Sequence, residues 1–453
     1  MPMIPEGLDK QPLKDLVSQL VDNNFNCVRL TYAIYMWTRY SNQNLNNTLH
    51  ELDVPGVIEG IHKNNPQVLR MNHIQAFEAV VNELGRQNVK VLLDNHVSEP
   101  KWCCNDDDEN GFFFDRHFDP HEWIHGLSLA AKHFSRNTAV VAQSLRNELH
   151  GPRQNEGDWY KYMSKAAMAI HKENPNVLVL ISGLNYDTEL QFLKNKPLKI
   201  NLGNKLVYET HLYSWSGIGT LKLKDIWIKQ PLNRICALSI RGLDSRAGFL
   251  TMGENAAPLI FTEFGFDQTG GSVQDNRFLT CLQTYLAGRD MDWGLWAFQG
   301  GYYVRDDDNV QVEETFGVMN SDWNHLRYPN FTDKFQLLQM KIQDPTSKKA
   351  NANIIYYPLS GQCAKVNHKN ELELVTVSDD CENKNKKNNS WRKVSLSKLH
   401  LATFDHKSGK TLCLQKDPNS STIVTSKCIC ITDDSQCLDD PQSQWFQLVP
   451  TNV

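Results

Sequence analysis

Ala139-Val-Val-Ala-Gln-Ser-Leu-Arg-Asn-Glu148 is the stretch whose reading decides the architecture. Residues 139–145 form a short, nearly continuous apolar run, which reads as a strand buried on both faces. The run breaks into Arg146-Asn147-Glu148, so a carboxylate stands just past the strand's C-terminal end. Helix-period segments flank it, at 74–85 upstream and 159–173 downstream.

The same unit recurs along the chain. Residues 26–32, 89–96, 177–182, 206–212, 258–262 and 293–298 read as further strands, and 9–23 reads as an opening helix with Leu13, Leu16, Val17 and Leu20 on one face. Apolar strands separated by helices mean a parallel sheet covered by helices. The stretch up to about Asp344 is therefore expected to be α/β, a (β/α)8 TIM-type barrel. Seven strands are visible and the first element is a helix, so strand one is expected upstream of Met1, in an N-terminally truncated barrel. Residues 1–11 lack the basic and apolar regions of a signal peptide, which the same truncation would remove.

Past Asp344 the texture changes. Residues 348–353 are a polar linker, and no helical periodicity follows. Gly361-Gln-Cys363-Ala-Lys-Val is echoed by Gly409-Lys-Thr-Leu-Cys413-Leu-Gln-Lys, and a tryptophan, Trp391 or Trp445, follows each echo. A repeat of this kind in a β-rich region points to a small all-β module. The expected division is a barrel over 1–345 and a module over 346–453. The module resembles the ricin-B-type β-trefoil lectins, whose repeats carry a Cys-Leu start and a Gln-x-Trp end. The endings here, Asn-Ser-Trp391 and Ser-Gln-Trp445, depart from that pattern, and two repeats are visible where a trefoil needs three. Sugar binding and a purely structural appendage are both open for this module.

Composition narrows the function classes. A net charge of −5 over 453 residues argues against a nucleic-acid groove or a polybasic membrane surface. No apolar run approaches the roughly 20 residues of a bilayer crossing. Six of the eleven cysteines (Cys363, Cys381, Cys413, Cys428, Cys430 and Cys437) fall in the last hundred residues, which suggests disulfides and an oxidising compartment. The sequons at Asn46, Asn330, Asn388 and Asn419 are about the chance number in so Asn-rich a chain.

In a barrel, chemistry is carried by groups just past the strand C-termini. Two carboxylates meet that condition: Glu148, and Glu263 in Leu259-Ile-Phe-Thr-Glu263-Phe-Gly265. Counting a missing first strand, they close strands four and seven. An Asn-Glu pair and a later Glu in those places resemble the signature of the retaining barrel glycosidases, and most closely glycoside hydrolase family five, the cellulase and mannanase family, in its plant members with a C-terminal lectin-like module.

That resemblance implies a carbohydrate substrate of β-glucan or mannan type, with Glu148 as acid/base, Glu263 as nucleophile and Asn147 on the sugar 2-hydroxyl. It implies Arg29 against the nucleophile and Trp296 beneath the sugar, with His96, His211 and Tyr213 at other strand ends. Singly, each is more often structural: a lone Arg is usually a salt-bridge partner and a lone Trp is usually core. The chemistry needs no metal or other cofactor. A retaining mechanism requires the two carboxyl groups roughly 5–5.5 Å apart. A monomer outside the cell or in the cell wall is the corresponding expectation.

Rival readings have their own residues. His121-Glu122-Trp-Ile-His125 spells the H-E-x-x-H of zinc proteases. Asp119-Pro120, however, reads as the start of a helix, whose N-terminal partial positive charge disfavours a cation. Residues 106–111, Asp-Asp-Asp-Glu-Asn-Gly, resemble the start of a calcium loop, but His117 stands where the closing Glu belongs, and a solvated acidic loop is the simpler account. Cys103-Cys104 reads as a loop staple. Asp306, Asp307 and Asp308 either line a cleft or face water. A different class of protein, a non-catalytic carbohydrate binder on an opened barrel, is the main alternative to an enzyme.

Overall fold

Seven strands, β1 (Cys27–Ala33), β2 (Lys90–Val97), β3 (Val140–Ser144), β4 (Leu178–Ile181), β5 (Leu206–Leu212), β6 (Leu259–Phe264) and β7 (Trp293–Leu295), pair side by side in chain order. Every pairing is parallel. The computed structural model describes residues 3–216, 225–305, 309–377, 381, 391–431 and 436–453. Asn388 and Asp306–Asp308 lie outside the described residues.

Local chemistry explains where the helices between strands begin. His73–Arg86 starts at a capping box formed by Asn72 and Gln75. Its buried stripe, Ala76, Phe77, Val80, Val81 and Leu84, has the spacing of one helix face. Pro120–His133 starts where Asp119 accepts from the backbone N–H groups of His121 and Glu122, with Pro120 preset for the first turn. The opening helix is shorter than its apolar spacing implies, Leu13–Asp22, because Pro12 occupies the N-cap. Inside the sheet, Leu92, Ala142, Leu180 and Val207 form one apolar layer from four consecutive strands. Each buried leucine or valine of this layer contributes on the order of 1.5–3 kcal/mol.

β1 and β7 are the two edges of this nearly closed barrel, and among the described residues no eighth strand lies between them. Both are half-exposed over most of their length. Phe25, two residues before β1, reaches across and packs edge-on against Trp293 of β7 and against Phe298. β7 ends earlier than the apolar run 293–298 implies. There the chain leaves the ladder, with the Trp296 N–H donating to the Phe264 carbonyl at 2.8 Å.

The described residues fall into two compact units. The first comprises Met1–Leu212, Ser245–Gln268 and Trp293–Arg327, and holds all seven parallel strands. The second comprises Tyr213–Asp244, Thr269–Asp292 and Tyr328–Val453.

Within the second unit, β10 (Ala352–Tyr357), β11 (Gln362–Val366), β12 (Leu372–Val375) and β17 (Gln447–Thr451) form one antiparallel sheet. β13 (Arg392–Val394), β14 (His400–Asp405), β15 (Lys410–Lys416) and β16 (Ile423–Lys427) form another. Ile355, Tyr357 and Ala364 of the first share a core with Leu401, Leu414 and Ile423 of the second. Two further strands in the first unit, β8 (Gly301–Arg305) and β9 (Asn309–Glu313), make a hairpin. The two echoed cysteines lie on β11 and β15 and bond to partners 18 and 15 residues on, in Cys363–Cys381 and Cys413–Cys428. Cys430–Cys437 adds a third bridge. Trp445 is fully buried, and its indole N–H donates to Asn233 Oδ1 at 3.0 Å.

No helix among the described residues is long and apolar enough to cross a membrane.

Candidate active site

Strand alternation points every second side chain into the barrel, and the C-terminal ends of the strands gather these residues into one place. Glu148, four residues past the end of β3, and Glu263 on β6 each bring a carboxylate oxygen within 4.8 Å of the other and of a His211 ring nitrogen. Both carboxylates are nearly sealed, with side-chain exposures of 14% and 9%. A register slip between β5 and β6 helps. Thr210 faces Phe261 and His211 faces Glu263, so Thr262 is an extra residue beside the glutamate.

The two carboxylates have opposite surroundings. Glu263 Oε2 accepts from Arg29 Nη1 at 2.9 Å. The other Arg29 nitrogen donates to Asp94 Oδ1 at 3.0 Å and to Asn147 Oδ1 at 2.6 Å. Burial lowers the pKa of Arg29, but Asp94 and Glu263 outweigh it and the guanidinium stays charged. Glu148 is met instead by a histidine: its Oε1 lies 2.9 Å from His211 Nδ1. Burial first, then the Glu263 charge, pushes Glu148 well above the carboxylate range. One carboxylate is thus held next to a permanent positive charge, and the other tends to keep its proton.

Asp94 links the remaining parts. It is fully buried, and its Oδ2 takes His96 Nδ1 at 2.8 Å. The His96 ring stacks on Trp296 with centroids 5.5 Å apart and planes 14° from parallel. Trp296 also bonds Tyr302 on β8. The structure therefore brings together Arg29, His96, Asn147, Glu148, His211, Glu263 and Trp296. Tyr213 falls in the second unit, where its ring stacks on Trp215 at 4.5 Å.

Other motifs receive definite roles. In the H-E-x-x-H segment, His121 and His125 are exposed and Glu122 is bound by Arg39 at 2.8 and 2.6 Å and by Thr38 at 2.7 Å. That glutamate is a salt-bridge partner on a helix face. The acidic run is only partly solvated: Asp106 accepts from the Tyr186 hydroxyl at 2.6 Å, and Asp108 holds His150 Nε2 at 2.9 Å. Cys103 and Cys104 are bonded to each other. Their sulfurs stand 3.6 and 3.9 Å from Asn147 Nδ2, so the pair lies beside the site as well as in a loop.

Four contributors escape the sequence reading: Asp94, Asp187, Glu209 and Thr262. Two of them carry a usable signal, because Asp94-x-His96 and Glu209-x-His211 are both i, i+2 pairs on strands and so face the same way. Asp187 sits in a turn of three consecutive left-handed residues, Asn185, Tyr186 and Asp187, which no strand pattern announces.

Comparison with known proteins shows the family and the fold. The family model described as "Cellulase (glycosyl hydrolase family 5)" matches residues 6–301, and the chain belongs to that family. A "Glycosyl hydrolase 5 family protein" of Chamaecyparis obtusa is 38% identical over 497 residues, spanning 100% of this chain and 88% of that protein. An "Endoglucanase" of Paenibacillus polymyxa is 22% identical over 339 residues, covering 71% of this chain and 76% of that one. The fold also matches a solved complex of an endocellulase from Pyrococcus horikoshii with cellotetraose. There the TM-score is 0.56 and the identity 19%, over 74% of this chain and 88% of that one. The chain is a glycoside hydrolase with a family 5 barrel.

Proposed function

We propose that the chain hydrolyses β-linked glucan by double displacement, with Glu263 as nucleophile and Glu148 as acid/base. The observation that carries this is the carboxylate pair itself: oxygens within 4.8 Å of each other, one carboxylate on Arg29 and the other on His211. That closeness supports direct attack on the anomeric carbon over an inverting pair, whose carboxyl groups stand roughly 6.5–9.5 Å apart. Protonated Glu148 assists departure of the leaving sugar while Glu263 forms the glycosyl-enzyme bond. Ionised Glu148 then takes a proton from water as that water displaces Glu263, so the anomeric configuration is retained. In this reading Asn147, held on Arg29, meets the 2-hydroxyl, and Trp296 supports the sugar ring. Tyr213 is proposed as a further contact.

The β-glucan choice follows the endoglucanase and endocellulase relatives. The 346–453 stretch is read as a separate module of ricin-B-like type on the strength of its echoed Cys-bearing strands. An extracellular or cell-wall setting is supported by the disulfides, including Cys236–Cys281.

The test is hydrolysis of a glycan panel by the full chain, with Glu148→Gln and Glu263→Gln as controls and the anomer of the first product followed by NMR. Retained configuration and loss of at least about 10³-fold in each variant are expected. Inverted product, or a variant that keeps full activity, would overturn the assignment.

A further inference from the structure

His211 is engaged at both ring nitrogens, and the donors further along the barrel interior decide which nitrogen carries the hydrogen. Glu209 on β5 is fully buried. Its Oε1 accepts from the Ser144 hydroxyl at 2.5 Å and its Oε2 from the Thr262 hydroxyl at 2.7 Å. A threonine has one hydroxyl proton, and here it points to Glu209. The same Thr262 oxygen lies 3.1 Å from His211 Nε2, so there it accepts and Nε2 carries the hydrogen. Burial, then Arg29 and His96, pushes His211 well below the ordinary histidine range, so the ring is neutral and Nδ1 presents a lone pair. The 2.9 Å contact of Nδ1 with Glu148 then needs the proton on Glu148.

Reversing every donor gives the same four-residue chain with the opposite polarity. A proton passes from Glu148 to Nδ1, one from Nε2 to Thr262, and one from Thr262 to Glu209. No atom is gained or lost, and the result is ionised Glu148 facing an Nδ1–H, with Glu209 protonated. Burial pushes Glu209 up to about 7, against the lowering effect of Arg29 and the two hydroxyls, so neither polarity is remote near neutral pH.

We propose that Glu148 and Glu209 share one proton through His211 and Thr262, making Glu209 and Thr262 positioning residues for the acid/base step. This rests on the reading of Glu148 as the acid/base. When Glu148 delivers its proton to the leaving group, both carboxylates are ionised around a neutral imidazole. That arrangement favours recapture of a proton from the attacking water.

The charged and titratable neighbours are accounted for. Arg29 on β1 is bound to Glu263 and Asp94, and His96 on β2 is bound to Asp94. Glu263 on β6 faces Glu148, and Tyr186 is tied to Asp106. Asp187 Oδ2 lies 3.6 Å from His211 Nε2 and makes no hydrogen bond among the described residues. Burial, then Glu209, holds that carboxyl well above the usual range, so it stands as a neutral acid beside the chain.

The experiment is the pH profile of kcat/KM on an aryl β-glycoside for Thr262→Val, Thr262→Ser and Glu209→Gln, whose alkaline limb reports loss of the acid/base proton. Thr262→Val keeps the shape and removes the hydroxyl, which frees His211 to place its hydrogen on Nδ1 and favour ionised Glu148. Its alkaline limb is expected to move down by about one pH unit, a roughly tenfold loss on that limb. Thr262→Ser is expected to restore it, and Glu209→Gln to move it in the same direction as valine. An unmoved or raised limb in Thr262→Val, or equal displacement in the serine variant, overturns the proposal. If the valine variant does not fold, an unmoved limb in Glu209→Gln does so alone. Glu148→Gln separates the two readings: an unchanged limb there refutes Glu148 as acid/base, whereas loss of activity there with an unmoved Thr262→Val limb refutes only the shared proton.

Discussion

Arg29 Nη1 sits 2.9 Å from Glu263 Oε2, while Nη2 of the same guanidinium serves Asp94 and Asn147. One rigid fork thus orients the proposed nucleophile, a buried aspartate and the amide proposed to meet the sugar. A lysine ammonium keeps the charge but cannot present that planar geometry. Arg29→Lys is expected to lower kcat/KM by roughly 10²-fold with a smaller change in KM. Steady-state kinetics on a soluble β-glucan checks this; near-wild-type kcat would show that charge alone is enough.

Trp296 is half-buried and lies parallel to His96, so one side of the ring is already occupied by protein. Trp296→Ala removes an apolar platform and the partner of His96. A rise in KM of roughly tenfold is expected on oligosaccharides, with Trp296→Phe intermediate. Isothermal titration of cellotetraose into a Glu263→Gln background isolates the binding part.

Glu209 carries a pH signature in stability. Its folded pKa, about 7, is raised above the 4.5 of an unperturbed glutamate, first by burial. For a raised acid the unfolded state ionises first. The contribution is therefore complete below about pH 4.5 and is lost as pH rises through about 7. The size is on the order of 3 kcal/mol, since each pKa unit corresponds to about 1.4 kcal/mol. Thermal melts between pH 5 and 8 are expected to show a falling Tm that is flatter in Glu209→Gln. Equal slopes in the two proteins would contradict the assignment.

Cys236–Cys281 ties the helix Leu232–Arg246 to the helix Val273–Arg289 across 45 residues. Closing a loop of that length in the unfolded chain is worth about 4 kcal/mol in the chain-entropy model. The Cys236→Ala/Cys281→Ala variant is expected to melt several degrees lower, with kcat unchanged at 25 °C. Differential scanning calorimetry measures the first and an aryl-glycoside assay the second.

Much of the site was legible because a parallel barrel gives strand ends a fixed meaning. Once 139–145 and 258–262 read as strands, Glu148 and Glu263 had to stand at the same rim, and the order of Arg29, His96 and His211 followed. Less legible was anything decided by polarity inside the barrel. Asp94 and Glu209 each share a strand face with a histidine two residues on, but the sequence does not show which groups on other strands they meet. Only proximity in space shows that Asp94 bridges Arg29 and His96 or that Glu209 receives two hydroxyls. The H-E-x-x-H segment shows the converse: a perfect motif whose glutamate is engaged by Arg39, 83 residues earlier.

Apolar periodicity is a local property, so the sequence by itself determined that the chain builds a parallel sheet with helices between strands, and which two carboxylates close its strands. The tertiary structure decided what surrounds each carboxylate. Glu148 and Glu263 are chemically identical and both nearly sealed, and their difference comes from which groups approach them through space: a fixed guanidinium for one, an imidazole for the other. Electrostatic interactions act over distance in the folded protein, not along the chain, and no reading of neighbours in sequence can supply that difference.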